Sequence, residues 1–503
     1  MKVISLFLFF FFVFCFQFQG EENKALIIAN ENFYDNPDII PINFKNENFP
    51  DVKKFLEEKF KEQVTPSYGN QVFQTVLLSR AKIAELDKAN IIYHKKENPP
   101  FRFFDPTYSE RLKKRFTTLE DLKSGYKDHK LNEMYLKSLS NEYPEAIRYH
   151  DLGLTRLGRK IPAIKITSNN MREHKPSVLF NCAHHSNELV AIEHCYDIIY
   201  TLLKDNSNQE FLENLVIWIV PIVNPDGSFL FWYKSNLMGR KNGYLASKEM
   251  SEDLGRGTDL NRNYPFKWNS GVEKASSDDI RHSFYRGYSE ASEPETKAMM
   301  GLAETERFIA SISFHSHATR LLFPYSVENT KNPQPDLPKE LAKKLVAFAT
   351  SYHPNRKFEA VKNIYSVDGT DQDYYYFKYG TIALLAETSH KNIEYKNVET
   401  VVSGFRPLWK NFLQEILLGD KIVLRVTNNK EEPIEAQVTI LEENYFEGEK
   451  FTTNLWNGTY YKLVSEGREY TIKLNAEGYE EKILKINSKK DFEPDFIVLN
   501  KRK

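Results

Sequence analysis

Cysteine is scarce in this chain, which has 3 cysteines among 503 residues. So few cysteines exclude a disulfide-stabilised scaffold and a cysteine-rich zinc site. Cys15 falls in an apolar N-terminal stretch, whereas Cys182 and Cys195 stand close together further along. The latter two could pair in an oxidising compartment. We expect two buried free thiols instead, because cysteine is among the residue types most often buried.

The chain also lacks an excess of charge of either sign. Its 68 Lys and Arg residues balance 69 Asp and Glu residues, which leaves a formal net charge of −1. Nucleic-acid-binding proteins usually show a basic footprint, and peripheral membrane proteins often carry a polybasic patch. The balance therefore gives no support for a nucleic-acid partner or for membrane attachment through charge.

Apolar runs that approach the length of a membrane span occur only at the N-terminus. Residues 4–16 carry no charge, Lys2 precedes them and Gly20 follows them. A basic start, a short apolar core and a small residue predict a secretory signal peptide over residues 1–20. An uncleaved anchor and a lipid-modified Cys15 are the alternatives. We expect the protein to be secreted or to reside in the cell envelope or periplasm, with no span beyond this segment.

The sequence after the signal peptide divides into residues 21–125, 126–420 and 421–503. The middle region alternates short, nearly continuous apolar runs with helical periodicity. Strands buried on both faces have this pattern, which predicts an α/β domain with a mixed, mostly parallel sheet and helices on both faces. The predicted strands are 177–182, 215–223, 308–314 and 381–386, and the predicted helices are 188–203 and 338–352.

The two flanking regions differ from the middle one. Residues 421–503 hold six short strand-like runs, with a tight-turn signal at Asn457-Gly458. This spacing predicts a small all-β sandwich. Residues 21–125 are less regular, with a predicted helix over 51–60 and a predicted strand over 72–78.

His185 and Glu188 stand three residues apart, just after a predicted strand and at the start of a predicted helix. This spacing lets both side chains face one point, and both are zinc-ligand types. His184 is a competing ligand. His94 and Glu97 share the spacing, but their charged surroundings favour a position on the surface.

Two further residues end predicted strands. His315 follows the run 308–314 and offers a third metal ligand, although a hydrogen-bonded core histidine is an equal alternative. Glu387 follows the run 381–386. A carboxylate at the end of a buried strand usually has a partner or a function, and here it could take a proton from water.

The chain from about residue 126 to 418 resembles the zinc metallocarboxypeptidases of the carboxypeptidase A/B type. The resemblance rests on an ordered series of motifs: LGR 157–159, HSNE 185–188, PIVNPDG 221–227, GRKN 239–242, DLNRN 259–263, YRG 285–287, SEPET 292–296, SFHS 313–316, Ile364-Tyr365 and Glu387. The HSNE variant is closer to the regulatory, N/E-like branch. Members of that branch carry a transthyretin-like domain after the catalytic domain, and residues 421–503 resemble it.

The resemblance implies roles for the metal and catalytic residues. His185, Glu188 and His315 would hold one Zn²⁺ per chain. Glu387 would act as general base towards water, and Arg240 would stabilise the oxyanion of the tetrahedral intermediate.

The resemblance also implies a site for the C-terminus of a peptide or protein substrate. Arg262, helped by Asn261, would bind the terminal carboxylate, and Tyr365 would close over the substrate. Residues 21–125 are close to a digestive-type propeptide in length, which leaves a prosegment as one hypothesis for them.

The resemblance places Gln372 at the bottom of the pocket for the C-terminal side chain. Related enzymes that prefer Lys or Arg supply an acid in this pocket, and Ser326 stands at the candidate position for that acid. Asp368, Asp371 and Asp373 could substitute, although we interpret them as solvated loop acids. We therefore expect a polar pocket with a modest preference for basic C-terminal residues.

Three functions are compatible with these observations. The first is an exported zinc exopeptidase that hydrolyses the C-terminal peptide bond of peptides and proteins. The second is a cell-wall peptide amidase on the same fold. The third is a non-catalytic envelope protein that binds through the fold, which the presence of every expected catalytic residue argues against.

Overall fold

The computed structural model describes residues 39–45, 47–61, 68–69, 73–95, 108–113, 116, 118–168, 175–233, 239–243, 257–390 and 392–502. The predicted signal peptide lies outside the described residues, as does Glu97 of the alternative histidine–glutamate pair. Within the described ranges, no helix combines the length and the apolar character that crossing a membrane requires.

The N-terminal module is a small antiparallel sheet with two helices. Its strands lie in the order β2-β3-β1-β4. The elements are β1 (Ile39–Lys45), α1 (Phe49–Phe60), β2 (Tyr68–Gly69), β3 (Phe73–Ser79), α2 (Arg80–Lys88) and β4 (His94–Lys95). Helix α1 is amphipathic and buries Phe49, Val52 and Leu56 in a separate core, which the strands and helices of this module form together. The helix and the strand predicted in this region are confirmed, with small shifts at their ends.

The central domain contains an eight-stranded mixed sheet in the order β11-β10-β12-β9-β7-β8-β6-β5. Strands β12, β9, β7 and β8 run parallel, and antiparallel strands flank them. The strands are β5 (Ile147–Leu154), β6 (Lys160–Ile166), β7 (Ser177–Cys182), β8 (Val216–Val220), β9 (Ala310–His315), β10 (Arg320–Leu322), β11 (Glu359–Val361) and β12 (Ile382–Glu387). The predicted mixed, mostly parallel sheet is confirmed.

Helices cover both faces of this sheet, as predicted. Successive residues of the central strands point to opposite sides, so apolar side chains on each face pack against helices. Val178 and Phe180 pack in one core, whereas Leu179 packs in the other. The helices are α3 (Tyr108–Lys113), α4 (His129–Glu142), α5 (Leu189–Lys204), α6 (Gln209–Asn214), α7 (Pro225–Tyr233), α8 (Pro294–Glu306), α9 (Leu337–Leu345), α10 (Asp371–Tyr379) and α11 (Val398–Leu418).

Two elements end at least three residues earlier than predicted. Strand β8 ends at Val220, not at 223, because Pro221 has no N–H to donate to a neighbouring strand. The helix predicted over 338–352 ends at Leu345 and continues as a 3-10 turn to Phe348. The chain then leaves the helix, and Thr350 N donates to Gly404 O of α11.

The segment before α4 packs with the central domain. Phe116 and Leu122 are buried in the same core as α5. Lys127 forms a buried ion pair with Glu193 of that helix, and Arg111 donates to the carbonyl oxygen of Tyr126. Through Arg111, Phe116 and Leu122, the central domain therefore gains buried contacts from residues that the sequence pattern groups with the N-terminal region.

The C-terminal region contains six strands in two three-stranded sheets, ordered β15-β13-β18 and β14-β16-β17. Alternating residues of both sheets share one core. The strands are β13 (Lys421–Thr427), β14 (Gln437–Ile440), β15 (Thr459–Leu463), β16 (Glu469–Asn475), β17 (Lys482–Asn487) and β18 (Asp495–Val498). The predicted small all-β domain is confirmed in class and in its six strands.

Candidate active site

The turn after β7 positions two of the candidate metal ligands. Ala183 adopts a left-handed conformation with φ of 56°, which is uncommon for a residue with a side chain. Ser186 is held on both sides, since its N–H donates to Gly239 O and its Oγ donates to Asn224 O. Helix α5 begins at Leu189, so Glu188 stands at its N-terminal boundary. The turn thus brings His185 and Glu188 to the carboxyl edge of the sheet.

A disulfide between Cys182 and Cys195 brackets this turn. The prediction of two free thiols is therefore wrong. Cys182 ends β7, and α5 folds back along that strand, which brings the two Cα atoms to 6.6 Å. This separation lies within the range that a disulfide can bridge. Sequence spacing alone did not show that the helix reverses onto the strand.

His185, Glu188 and His315 form a buried group whose ligand atoms all lie within 4.8 Å of one another. The two Nδ1 atoms of the histidines are 3.2 Å apart. Glu188 places one oxygen 2.9 Å from His185 Nδ1 and the other 3.0 Å from His315 Nδ1. Ligands with bonds of about 2.1 Å in a tetrahedral zinc site lie about 3.4 Å apart, so this donor set fits such an ion with small adjustments.

The electrostatics of the group also favour a cation. Burial alone would raise the pKa of Glu188, but the two histidines hold it well below its ordinary value. The carboxylate is therefore ionised in the interior. His184, the competing ligand, lies outside this group and its Nε2 is 2.9 Å from the hydroxyl of Tyr264.

Asp259 supports the metal group and was missed by the sequence reasoning. Its Oδ1 lies 2.9 Å from His185 Nε2, and its Oδ2 accepts from Arg240 at 2.7 Å. Burial opposes ionisation, but the neighbouring arginines and His185 hold the pKa of Asp259 well below its ordinary value. A carboxylate behind a histidine ligand orients the ring and raises its basicity. The only sequence signal was the place of Asp259 in the DLNRN motif.

Glu387 ends β12 beside His315, and the two residues pair across the parallel strands. Its Oε2 has no hydrogen-bond partner among the described residues. Burial and the charge of Glu188 raise the pKa of Glu387 to about 7. A carboxyl group with such a pKa can exchange a proton near neutral pH, which suits a general base.

The two arginines assigned by resemblance both lie close to the ring of Phe284. The guanidinium of Arg240 is 5.1 Å from the centre of this ring, and that of Arg262 is 4.9 Å from it. Tyr365 stacks on the same ring at 6.0 Å, and its hydroxyl accepts from Arg262 Nη2 at 3.4 Å. Phe284 was not singled out by the sequence, because its role depends on contacts between distant loops.

Arg262 and Asn261 are both buried on a short 3-10 turn. Arg262 Nε has no hydrogen-bond partner among the described residues. The side-chain oxygen of Asn261 accepts from the N–H of Asp371, which ties this turn to the start of α10. A buried guanidinium with an unused donor is a ready site for a carboxylate.

The assigned pocket residues come together at the start of α10. Ser326 donates from both its N–H and its Oγ to Asp373 Oδ2, at 2.8 Å and 2.7 Å. Gln372 Oε1 and Asp373 Oδ1 are buried without a partner among the described residues. Burial raises the pKa of Asp373 to about 7.

The interpretation of Asp368, Asp371 and Asp373 as solvated loop acids is wrong, because all three are buried. Helix α10 begins at Asp371, so two of the three lie in its first turn, where the helix dipole favours acids. Asp368 accepts from Ser270 and Ser276.

The comparison with known proteins covers this whole site. The profile of the family described as zinc carboxypeptidase matches residues 132–415, which include every candidate site residue named above. The chain belongs to the zinc carboxypeptidase family. Curated relatives in this family match over the same region. Metallocarboxypeptidase A of Trichophyton tonsurans is 30% identical over 261 residues, which are 50% of this chain and 59% of that protein.

Mast cell carboxypeptidase A of Homo sapiens is 28% identical over 280 residues, which are 53% of this chain and 65% of that protein. The chain thus spans less than two thirds of the length of these zinc carboxypeptidase relatives. The solved structure of carboxypeptidase A from Helicoverpa armigera has a TM-score of 0.55 at 18% identity, over 74% of this chain and 96% of that chain. At that identity the likeness shows the fold alone.

Proposed function

We propose that this chain is an exported zinc carboxypeptidase that removes the C-terminal residue of peptides and proteins. The observation that carries the proposal is the convergence of a buried two-histidine, one-glutamate group with Glu387 and a pair of arginines at one edge of the sheet. Three protein ligands with space for a fourth are typical of catalytic zinc sites. The matching family profile supports the same class of activity.

His185, Glu188 and His315 would hold one Zn²⁺. When bound, the ion supplies a Lewis acid and lowers the pKa of water. Glu387 takes the proton from the attacking water and later gives it to the leaving amine. Its unpartnered oxygen and its pKa of about 7 are consistent with both roles.

The two arginines interact with different negative charges of the substrate. Arg262, with Asn261 beside it, binds the terminal carboxylate, because its unused donor can form a charge-assisted hydrogen bond. Arg240 stabilises the charge that develops on the scissile carbonyl oxygen. Tyr365 is half exposed and stacks on Phe284, so it can close over the bound C-terminus.

The candidate pocket residues at the start of α10 include acceptors without partners. Gln372 Oε1 and Asp373 Oδ1 are buried without partners, and Ser326 links Asp373 to the neighbouring loop. An apolar C-terminal side chain would leave these acceptors unsatisfied, which is costly. A C-terminal residue that donates hydrogen bonds is therefore preferred, with a modest advantage for Lys and Arg.

Export and the roles of the flanking regions belong to the same proposal. The disulfide supports export, because disulfides persist in oxidising compartments. Residues 1–20 act as the signal peptide, residues 21–125 are a region whose role is not assigned and for which a prosegment is one hypothesis, and residues 421–503 act as a transthyretin-like domain that takes no part in chemistry. The two three-stranded sheets of residues 421–503 support that last assignment.

A peptide library tests the activity. Purified protein is incubated with the library, and C-terminal ladders are recorded by mass spectrometry with and without a chelator. We expect loss of single C-terminal residues that stops with chelator and returns with zinc. Cleavage restricted to cell-wall peptides would favour the amidase alternative. Binding without any cleavage would favour the non-catalytic one.

The variant Glu387→Gln separates chemistry from binding. It should keep zinc and substrate but lower kcat by about 10²–10⁴-fold, which is the usual contribution of general acid–base catalysis. Glu290→Gln, at an exposed loop position, is the matched control and should keep full turnover. Wild-type turnover in the Glu387 variant would remove this residue from the mechanism.

A further inference from the structure

A cluster of basic and imidazole side chains lies beside the metal group. We define the rim cluster as His317, Arg320, His353, Arg356 and His390. Arg356 Nη1 lies 3.2 Å and 3.3 Å from the two ring nitrogens of His390. The rings of His353 and His390 are 6.1 Å apart. The cluster therefore draws on three separate segments of the chain.

The register of the sheet places this cluster at the same edge as the metal ligands. Arg320 pairs with Glu387 across β10 and β12, and Glu387 pairs with His315 across β12 and β9. Arg320 also pairs with Glu359, the first residue of β11. Arg356 comes just before that strand. His390 lies three residues after Glu387, and its Nε2 is 3.3 Å from the hydroxyl oxygen of Thr319.

The rim cluster and the C-terminal pocket lie on different sides of the metal group. Arg320 pairs with Glu387 across β10 and β12, on the side of the sheet that ends in β11. In contrast, the start of α10, which carries Gln372, is tied to β7 by a hydrogen bond from Asn181 Nδ2 to Asp371 Oδ2. A peptide whose terminal carboxylate lies at Arg262 and whose scissile bond lies at the metal group would extend away from the pocket, towards the rim cluster.

The charges of the rim cluster are not balanced internally. Arg320 forms an ion pair with Glu359 at 3.2 Å. Arg356 is exposed and has no carboxylate within ion-pair distance in the described ranges. Burial makes the largest contribution to lowering the pKa of His390. Four basic neighbours lower this pKa further: Arg356, His353, Arg320 and His317. Basic groups therefore surround this imidazole, and of the two arginines only Arg320 has an ion-pair partner in the part of the chain that the structure describes.

We propose that the rim cluster binds an acidic side chain of the substrate peptide, upstream of its C-terminal residue. This inference rests on the proposed carboxypeptidase function. The planar guanidinium of Arg356 can donate two parallel hydrogen bonds to one carboxylate. The ring nitrogens of His390 and His353 add further donors beside it. The rim cluster thus selects what precedes the cleaved residue, independently of the pocket around Gln372.

The test uses two matched series of short peptides with a constant C-terminal residue. One series carries Glu at each of the second to fifth positions from the C-terminus, and the other carries Gln there. Dissociation constants are measured by fluorescence anisotropy on the zinc-loaded full chain carrying Glu387→Gln, which should bind without cleaving. Values of kcat/KM are measured on the wild type. Arg356→Gln is the test variant in both backgrounds.

Arg148→Gln is the control, because Arg148 is an exposed arginine on β5, the strand at the far edge of the sheet. We expect Glu to bind about fivefold more tightly than Gln at one or two adjacent positions. The preference should disappear with Arg356→Gln, persist with Arg148→Gln and weaken at about 0.5 M salt, since exposed charges are screened.

Two other outcomes are decisive. Equal affinity of Glu and Gln at every position, or a preference that survives Arg356→Gln, overturns the inference even if the wild type cleaves all peptides. If the wild type cleaves none of the peptides, the carboxypeptidase function fails. The dissociation constants then still decide whether the rim cluster binds acidic side chains.

Discussion

At the scale of single residues, we expect Asp373 to influence which C-terminal side chain the candidate pocket accepts. It is buried and keeps one oxygen unpartnered among the described residues, next to Gln372. Asp373→Asn keeps the size of the side chain and removes its capacity for negative charge. We expect kcat/KM for peptides ending in Arg to fall at least about threefold relative to peptides ending in Phe, because hydrogen bonds to charged groups are the stronger ones.

The complementary variant Ser326→Asp should not increase the preference for Arg, because it sets a second carboxylate against Asp373. Two carboxylates that share a site cannot both ionise easily. An unchanged Arg-to-Phe ratio in Asp373→Asn would show that this acid does not face the substrate.

Asp259 links His185, a candidate metal ligand, to Arg240, the proposed oxyanion-stabilising residue. Asp259→Asn keeps the shape but weakens the support of the ring. Zinc affinity should fall about 10–100-fold, as is usual when a carboxylate behind a histidine ligand is lost. Competition with a chromogenic chelator measures it. Unchanged affinity together with normal kcat would assign Asp259 a structural role only.

The residues that sequence could assign are those whose signal is local. His185 and Glu188 share a helical spacing, and His315 and Glu387 end apolar strands, so short windows sufficed to propose them. Asp259 and Phe284 escaped because they reach the site from irregular loops, where no periodicity marks them. The unpartnered atoms of Arg262 and Gln372 are likewise visible only in three dimensions.

At the scale of elements, strand periodicity was enough to predict the parallel centre of the sheet. The disulfide could not be predicted in this way, because it depends on how β7 and α5 pack. Cys182 and Cys195 are 13 residues apart and enclose the ligand turn. Closing a loop of this length lowers the entropy of the unfolded chain, and the chain-entropy relation gives about 3 kcal/mol. The double variant Cys182→Ser, Cys195→Ser should lose roughly that amount of stability.

Urea denaturation of the oxidised wild type and of this double variant measures the loss. The reduced wild type is the matched control and should behave like the variant. A variant as stable as the oxidised wild type would show that the native packing of β7 and α5 does not need the covalent link.

Helix α5 carries an acid-sensitive contact with the sheet and α11. His194 stacks on Phe314 at 5.0 Å and meets Phe405 edge-on, and neither ring nitrogen has a partner among the described residues. Burial lowers the pKa of His194 to about 3. The unfolded chain takes up this proton below a pH of about 6.5, so the contribution of His194 to stability is full above that pH and is lost as pH falls.

The variant His194→Leu has no proton to gain. Between pH 7.5 and pH 5, the wild type should lose about 2 kcal/mol more stability than the variant, at about 1.4 kcal/mol per pH unit below the unfolded pKa. Chelator is present throughout, so that metal release does not contribute. Identical losses in the two proteins would show that protonation of His194 does not control acid unfolding.

At the scale of the whole molecule, the C-terminal domain contacts the loop that carries Ser326, a candidate pocket residue. Tyr325, next to Ser326, donates from its hydroxyl to Glu449 at 2.8 Å. Glu447 pairs with Lys267 at 2.8 Å and accepts from the N–H of Lys331. The all-β domain thus holds both ends of the segment around Ser326 without placing a side chain among the metal ligands.

These contacts predict that the two domains unfold together. Tyr325→Phe removes one hydroxyl and leaves the buried carboxylate of Glu449 with two backbone donors. Because a hydrogen bond to a charged group is lost, the variant should be about 1.5–3 kcal/mol less stable.

Trp409 reports on the central core and Trp456 on the C-terminal domain. In single-tryptophan versions of both proteins, the two probes should show one shared urea midpoint that shifts as a unit. Separate midpoints, with only the Trp456 transition moved, would instead mean that the all-β domain folds independently and that the pocket loop does not depend on it.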